Sequence, residues 1–206
     1  MTLDFKQLVK DYNIQIKGII QLGSHFFQEK EVFMELGVKN LVLVEPQKHA
    51  FKRTKERSKD IPGAILFNCA VSDEEGKMMM NCDEDNQGQS SSLLMPKEHL
   101  KNCPWVHFVK QEEVEVKMLD NLQFDRSKYN GIVADLQGAE LKAFKGGEKT
   151  IKGLDFIYCE VNFVFMYEGC CLVEDLDKYL GQFGFKRVET SKDQGGWGDA
   201  IYIKNI

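Results

Sequence analysis

The stretch Ile19–Glu29, "IIQLGSHFFQE", reads as a buried strand that runs through a turn into a helix. Open α/β sheets hold nucleotide-like ligands at such junctions, at the carboxyl end of a strand. This one carries a single glycine, Gly23, where a loop that cradles a pyrophosphate carries three. Ser24, His25, Phe26, Phe27 and Gln28 follow, and their bulk is expected to crowd a phosphate. No Walker lysine follows, which removes a P-loop for ATP or GTP.

The strand–helix alternation continues on either side. The apolar runs "NLVLVE", "AILFNCAV", "GIVADL" and "DFIYCEV" are strand-like. Helical stretches separate them. "EKEVFMELG" puts Val32, Phe33 and Leu36 on one face, and "KHAFKRTKERS" is basic and solvated. "AELKAFKGG" turns Leu141 and Phe144 inward, and "LVEDLDKYLGQFG" carries a stripe of Leu172, Leu176, Tyr179, Leu180 and Phe183 that stops at Gly184. A short helix around Leu8 and Tyr12 precedes them all. This order predicts an α/β fold, a largely parallel sheet covered on both faces. Two regions break the rhythm. Residues 74–118 are polar, with "NCDEDNQGQSSS" at the centre and the alternating "EEVEVKML" beyond it. They are expected to elaborate the active-site edge of a single domain spanning residues 1–206. The tail "FKRVETSKDQGGWGDAIYIK" reads as a hairpin that adds an antiparallel edge.

The second strand ends at Glu45 and Pro46. A carboxylate there can accept both hydroxyls of a ribose, or it can merely cap the strand end. S-adenosyl-L-methionine (SAM) has no phosphate. It asks for one glycine beside its methionine part, polar groups for its amino and carboxylate ends, and an acid for its ribose. The stretch fits SAM better than any phosphate ligand.

Four segments then resemble one family. "IIQLGSHFFQEKEVFMELGVKNLVLVEP" resembles the opening of FkbM-family SAM-dependent methyltransferases, in the branch with G-A-H-x-G-Q-E. "GIVADLQGAELKAFKGG" is similar to its I-D-V-Q-G-x-E segment. "IYCEVNFVFMYEGCCLVEDLDKYLGQFGFKRVETS" and "GWGDAIYIK" resemble its E-V-N, Y-x-G-C and G-W-G-D-A segments. The resemblance runs from about residue 18 to the end. It implies a Rossmann-like class I methyltransferase: a mostly parallel seven-stranded sheet, an antiparallel C-terminal hairpin and helices on both faces. It also implies SAM as donor, S-adenosylhomocysteine (SAH) as product, and a hydroxyl acceptor, most often on a sugar. Three positions depart from the family. Gln21 stands for an Asp, Phe27 for a second loop glycine, and Val133 for an occasional lysine. Gln21 could still meet the methionine ammonium through its carbonyl, as a neutral partner.

Methyl transfer from a sulfonium is an in-line displacement that depends on orientation, and an alcohol nucleophile needs a base. Asp135 ends the fourth strand and is a candidate base, a holder of the donor, or a helix N-cap. Glu140, in the next helix, reads as a first-turn acid or a functional one. Glu160 ends the fifth strand and needs a partner or a wet cleft there. With Asn162 it forms an expected acceptor-binding pair and is a second candidate base. Tyr167, Trp197 and Asp199 could form a sugar platform, although Trp197 could equally pack the hairpin. His25, in the loop, is a base candidate or a contact to the methionine carboxylate. The full donor set is Gln21, Gly23, Ser24, His25, Gln28, Glu45, Pro46, Asn68, Ala70 and Asp135, with adenine near Asn68 and Ala70. Ser91, Ser92 and Gln137 join the acceptor side.

The 206 residues are 43% hydrophobic and 29% charged, ordinary for a globular protein, and the net charge of −5 argues against a nucleic-acid partner. Six cysteines form no C-x-x-C pair, and Asp135, Glu160 and Asp199 lack the tight clustering of a metal site, so no metal is expected. No apolar run approaches the ~18 residues of a membrane span, and no secretory leader is visible. The expectation is a cytoplasmic protein with a small-molecule or glycan acceptor, or one domain of a larger glycan-building enzyme. Two rivals remain at this level. An NAD-dependent sugar oxidoreductase or epimerase would need G-x-G-x-x-G and a tyrosine–lysine pair. A non-catalytic glycan- or partner-binding module would have lost its donor site.

Overall fold

In chain order, the computed structural model describes residues 1–204 as follows. α1 (Phe5–Asp11), β1 (Ile19–Leu22), α2 (Lys30–Glu35), β2 (Leu41–Val44), α3 (Lys48–Arg57) and β3 (Ile65–Phe67) form the first half. β4 (Ala70–Val71), β5 (Gly76–Asp83), α4 (His99–Asn102) and β6 (Phe108–Lys117) interrupt it. β7 (Gly131–Ala134), α5 (Glu140–Lys145), α6 (Glu148–Lys152), β8 (Phe156–Asn162), α7 (Val173–Gly181), β9 (Phe185–Thr190) and β10 (Trp197–Lys204) complete it. The last two residues of the expected 1–206 domain lie outside the described residues.

A seven-stranded sheet with the order β3-β2-β1-β7-β8-β10-β9 is the frame. Every residue of β1, β2, β7 and β8 is buried. That is why these strands read as unbroken apolar runs: a parallel sheet is covered on both faces. Ile20, Leu22, Ile132 and Ile157 pack with Phe144, Ile151, Leu176 and Leu180 of α5, α6 and α7. The alternate residues Ile19, Leu43, Val133 and Tyr158 pack with Phe5, Leu8 and Phe33 of α1 and α2.

The hairpin enters the sheet through its second strand. β10 pairs antiparallel with both β8 and β9, so the reversed strand is the penultimate one and β9 forms the edge. Six of the eight residues of β10 are buried, whereas β9 exposes Lys186, Arg187 and Glu189, charges that suit an edge. "AILFNCAV" is not one strand. The chain leaves the main sheet after Phe67, and Ala70–Val71 pairs with β6 in a second sheet of order β4-β6-β5. The Asn68 side chain fixes this departure by donating to the carbonyls of Glu45 and Pro46. The polar stretch 84–93 is thus the loop that leaves β5.

The strand order reverses between β1 and β7, and there the backbones come into contact. Gly23 has φ +75°, and a Cβ on it would lie 1.9 Å from the Asp135 carbonyl oxygen. Gly23→Ala should therefore destabilise the protein by about 2 kcal/mol or more, read as a lower urea midpoint. An unchanged midpoint would mean that the two strand ends are free to separate.

Candidate active site

A cleft with about 1140 Å³ of empty space opens at this reversal point. Gly23, Glu45, Pro46, Ala70 and Asp135 line it, as do Gln21, His25, Gln28, Ser91, Gln137 and Asp199. Glu29, Gln47, Met80, Leu93 and Tyr158 complete much of the wall. Among the described residues no lysine or arginine lines this cleft.

Its roof is the 84–93 loop, held by side chains from the other strand ends. Gln47 Nε2 donates to the Gly88 carbonyl at 2.9 Å, and the His25 ring meets the Gln87 carbonyl through Nε2 at 2.8 Å. A carbonyl only accepts, so His25 carries its proton on Nε2. Its Nδ1 then accepts from the Gln28 amide at 2.8 Å. Burial lowers the His25 pKa, which keeps the ring neutral. Both ring nitrogens are thus hydrogen-bonded, and His25 latches two loops together. The latch is strained, because His25 and Gln87 are non-glycine residues with positive φ, 45° and 56°.

Glu45 is 2% exposed. Its Oε2 accepts the His25 N–H at 2.7 Å and its Oε1 accepts the Gln47 N–H at 2.8 Å. Each oxygen keeps a lone pair for a ligand hydroxyl. Burial pushes its pKa up to about 7 despite those two bonds.

Register explains the acids. Asp199 faces Glu160 across β10 and β8, and Asp135 follows Ala134, the partner of Cys159. The period of two puts all three on the face that bears Val133 and Tyr158. One amide manages them: Gln137 Nε2 lies 2.6 Å from Asp135 Oδ1 and 2.8 Å from Glu160 Oε2. The Gln137 Oε1 accepts from Tyr167 Oη at 2.8 Å, and its backbone carbonyl accepts from Ser92 Oγ at 2.7 Å. Burial, then the neighbouring acids, raises Asp135 to about 6 and holds Glu160 well above the ordinary carboxylate range. Asp199 accepts from Tyr158 Oη at 2.8 Å and from Thr2 Oγ1 at 2.7 Å.

The Methyltransferase FkbM domain matches residues 17–187. The chain belongs to the FkbM methyltransferase family. A relative, the 2-O-methyltransferase NoeI of Sinorhizobium fredii, is 31% identical over 159 residues, which are 73% of this chain and 65% of NoeI. The chain thus spans just under two thirds of that relative's length. Among solved structures, magnesium protoporphyrin IX methyltransferase from Synechocystis PCC 6803 with bound SAM superposes with a TM-score of 0.53 at 9% identity, covering 97% of this chain and 76% of that one. Its complex with SAH gives 0.54 at 9% identity, over 97% and 80% of the two chains. A ribosomal-protein methylase from Lactobacillus delbrueckii gives 0.55 at 9% identity, over 97% and 77%. At such identity these structures show that the fold is shared.

Not every residue singled out in the sequence reaches the cleft wall. Glu160, Tyr167 and Ser92 stand behind it, joined to it through Gln137. Asn162 is buried beside the hairpin, opposite Trp197 in register, and its Oδ1 has no partner among the described residues. Trp197 packs on the Met166–Tyr167–Cys170 cluster. Ser24 is buried with its hydroxyl unpaired among the described residues, and Asn68 is spent on the β2 turn. Phe27 does not crowd the cleft: at φ 56° its side chain turns into the core against Phe33. Phe26 stacks on His25 and lies under Arg53. Glu29, Gln47 and Tyr158 were not anticipated as site residues. Glu29 does lie in the family's G-A-H-x-G-Q-E segment, which was the available signal. Among the described residues no acid, His or Cys cluster fit for a metal is present, and no helix is long and apolar enough to cross a membrane.

The buried acids make the stability of the protein depend on pH. Glu45 and Glu140 titrate at about 7 in the folded protein and Asp135 at about 6, against 4.5, 4.5 and 3.8 when exposed. The folded state holds protons that the unfolded chain has lost, so stability falls as pH rises through this interval. His25 and His99, lowered by burial, act in the opposite sense only below their ordinary 6.5. Thermal unfolding of the free protein should therefore shift down by several degrees between about pH 6.5 and 8. A flat or rising Tm over that range would contradict the placement of these acids.

Proposed function

We propose that this chain transfers a methyl group from SAM to a hydroxyl of a sugar or related glycan acceptor. The observation that carries the reading is the charge of the cleft: Glu29, Glu45, Asp135 and Asp199 line it, and no lysine or arginine does, among the described residues. NAD or ATP would bring phosphates into that field with no lysine or arginine, among the described residues, to meet them. SAM brings a sulfonium, an ammonium and one carboxylate, and so a net positive charge. Gly23 lets its loop lie against the Asp135 backbone at the edge of the cleft, Glu45 offers oxygens to the donor's ribose, and Ala70, Val71 and Met80 give an apolar wall for its base.

When bound, this donor supplies an electrophilic methyl group for displacement by the acceptor oxygen. The protein must accept the proton which that oxygen gives up. Asp135 is the base: it lines the cleft, and at about 6 its carboxyl is ionised near neutral pH while keeping appreciable proton affinity. Glu160, its pKa held well above the ordinary range by burial and the neighbouring acids, stands behind it, joined through Gln137. Gln137 holds Asp135 in place by donating to Oδ1, which leaves Oδ2 to receive the proton. Ser91, Gln137 and Asp199 offer polar contacts to the acceptor. The name of the Sinorhizobium relative, a 2-O-methyltransferase, supports oxygen as the accepting atom.

Asp135→Asn keeps an oxygen for the Gln137 bond, so SAH should still bind while kcat falls about 100-fold or more. In the native enzyme kcat/KM should rise with pH and level off above about pH 6, the value reached by Asp135. Glu45→Ala should weaken SAH binding about 10-fold or more while the protein stays folded. The acceptor is found by incubating labelled SAM with a panel of glycans and locating the methyl group by mass spectrometry. Absence of any thermal stabilisation by saturating SAH would defeat the donor assignment, since a ligand of the native state must raise Tm.

A further inference from the structure

The end of β1 carries a feature that the acid row does not explain. Gln21 is 3% exposed and lines the cleft, yet its Oε1 has no hydrogen-bond partner among the described residues. Its amide orientation is fixed, because Nε2 donates to Glu29 Oε2 at 2.7 Å. Turning the amide over would set its oxygen against the carboxylate. Glu29 also lines the cleft, and its second oxygen has no partner among the described residues. Glu29 adds its negative field to those acting on Asp135, so its charge is felt inside the site.

We propose that Gln21 and Glu29 together form the seat for the α-ammonium of the methyl donor, with Glu29 supplying the charge and Gln21 a directed acceptor. Two oxygens without a partner among the described residues, one of a buried amide and one of a half-exposed carboxylate, belong to side chains hydrogen-bonded to each other, and among the described residues no lysine or arginine lines the cleft. The ligand group that satisfies both carries several N–H donors and a positive charge, which is an ammonium. A hydroxyl would satisfy one oxygen and leave the charge unmatched. A phosphate or carboxylate would face two acceptors. Gln21 orients Glu29 by the hydrogen bond it gives and aligns the ammonium by the one it receives. The assignment rests on the donor reading made above.

Calorimetry with two ligands separates the two ideas. One ligand is SAH. The other is its analogue with hydrogen in place of the α-amino group. The native protein should bind SAH roughly 10–100-fold more tightly than the analogue. Glu29→Gln, isosteric at a half-exposed position, should weaken SAH by a similar factor and leave the analogue unchanged. If Glu29→Gln leaves SAH within about 2-fold of native, or weakens both ligands equally, the ammonium seat is wrong and the donor reading stands. If the native protein binds neither ligand, the donor reading fails and this inference falls with it.

Discussion

The cleft is organised around one carboxamide. Three strand ends bring Asp135, Glu160 and Asp199 to the same face of the sheet, where like charges in a poorly solvated space repel. A lysine would neutralise that charge, and among the described residues none lines the cleft. The two N–H groups of Gln137 instead bridge Asp135 and Glu160, while Tyr167 and Ser92 satisfy its oxygens. A neutral bridge orients the carboxylates without cancelling their charge, so their proton affinities stay raised. The arrangement requires Gln137 to sit at φ 52°, a strained conformation for a side-chain-bearing residue, relaxed at once by Gly138 at φ 92°. The surrounding hydrogen bonds over-determine the strain, as expected of a site held ready before its ligand arrives.

The loops over the cleft follow the same logic. Glu45 takes the N–H groups of His25 and Gln47, which turns both side chains toward the 84–93 loop. Those side chains then hold the loop by its backbone carbonyls at Gln87 and Gly88. Asp83 draws in the N–H groups of Asn86 and Ser90 at 2.8 Å each, so the loop also carries its own internal brace. A polar, serine-rich segment can lie over a ligand site as an ordered roof because nearly every turn in it answers to a buried carboxylate or amide.

Much of this was legible in the sequence, for identifiable reasons. Buried parallel strands are apolar on both faces, so β1, β2, β7 and β8 stood out as continuous runs. An acid at the end of such a run has few bland explanations, which is why Glu45, Asp135 and Glu160 could be picked out. What spacing alone does not carry is direction. Phe27 follows the glycine turn and looks like an obstruction, but its positive φ turns the ring away into the core. "AILFNCAV" has the pattern of one strand, and only the hydrogen bonds of Asn68 show where it breaks. Glu29 looks like an ordinary acid at a helix start until the loop folds it back onto Gln21.

That fold-back also accounts for a neutral residue at the end of β1. A carboxylate at position 21 would be almost fully buried, since Gln21 is 3% exposed, and it would join Asp135 and Glu160 among the acids that burial drives toward protonation. A protonated acid there could not attract an ammonium by charge. Glu29 lies half-exposed at the head of α2 and keeps part of its hydration. The amide of Gln21 carries that charge's influence to the strand end through a hydrogen bond, at a smaller desolvation cost than a second buried anion. The negative charge in this pocket is therefore a property of the loop as a unit, and a neutral side chain at the strand end is compatible with a cationic ligand.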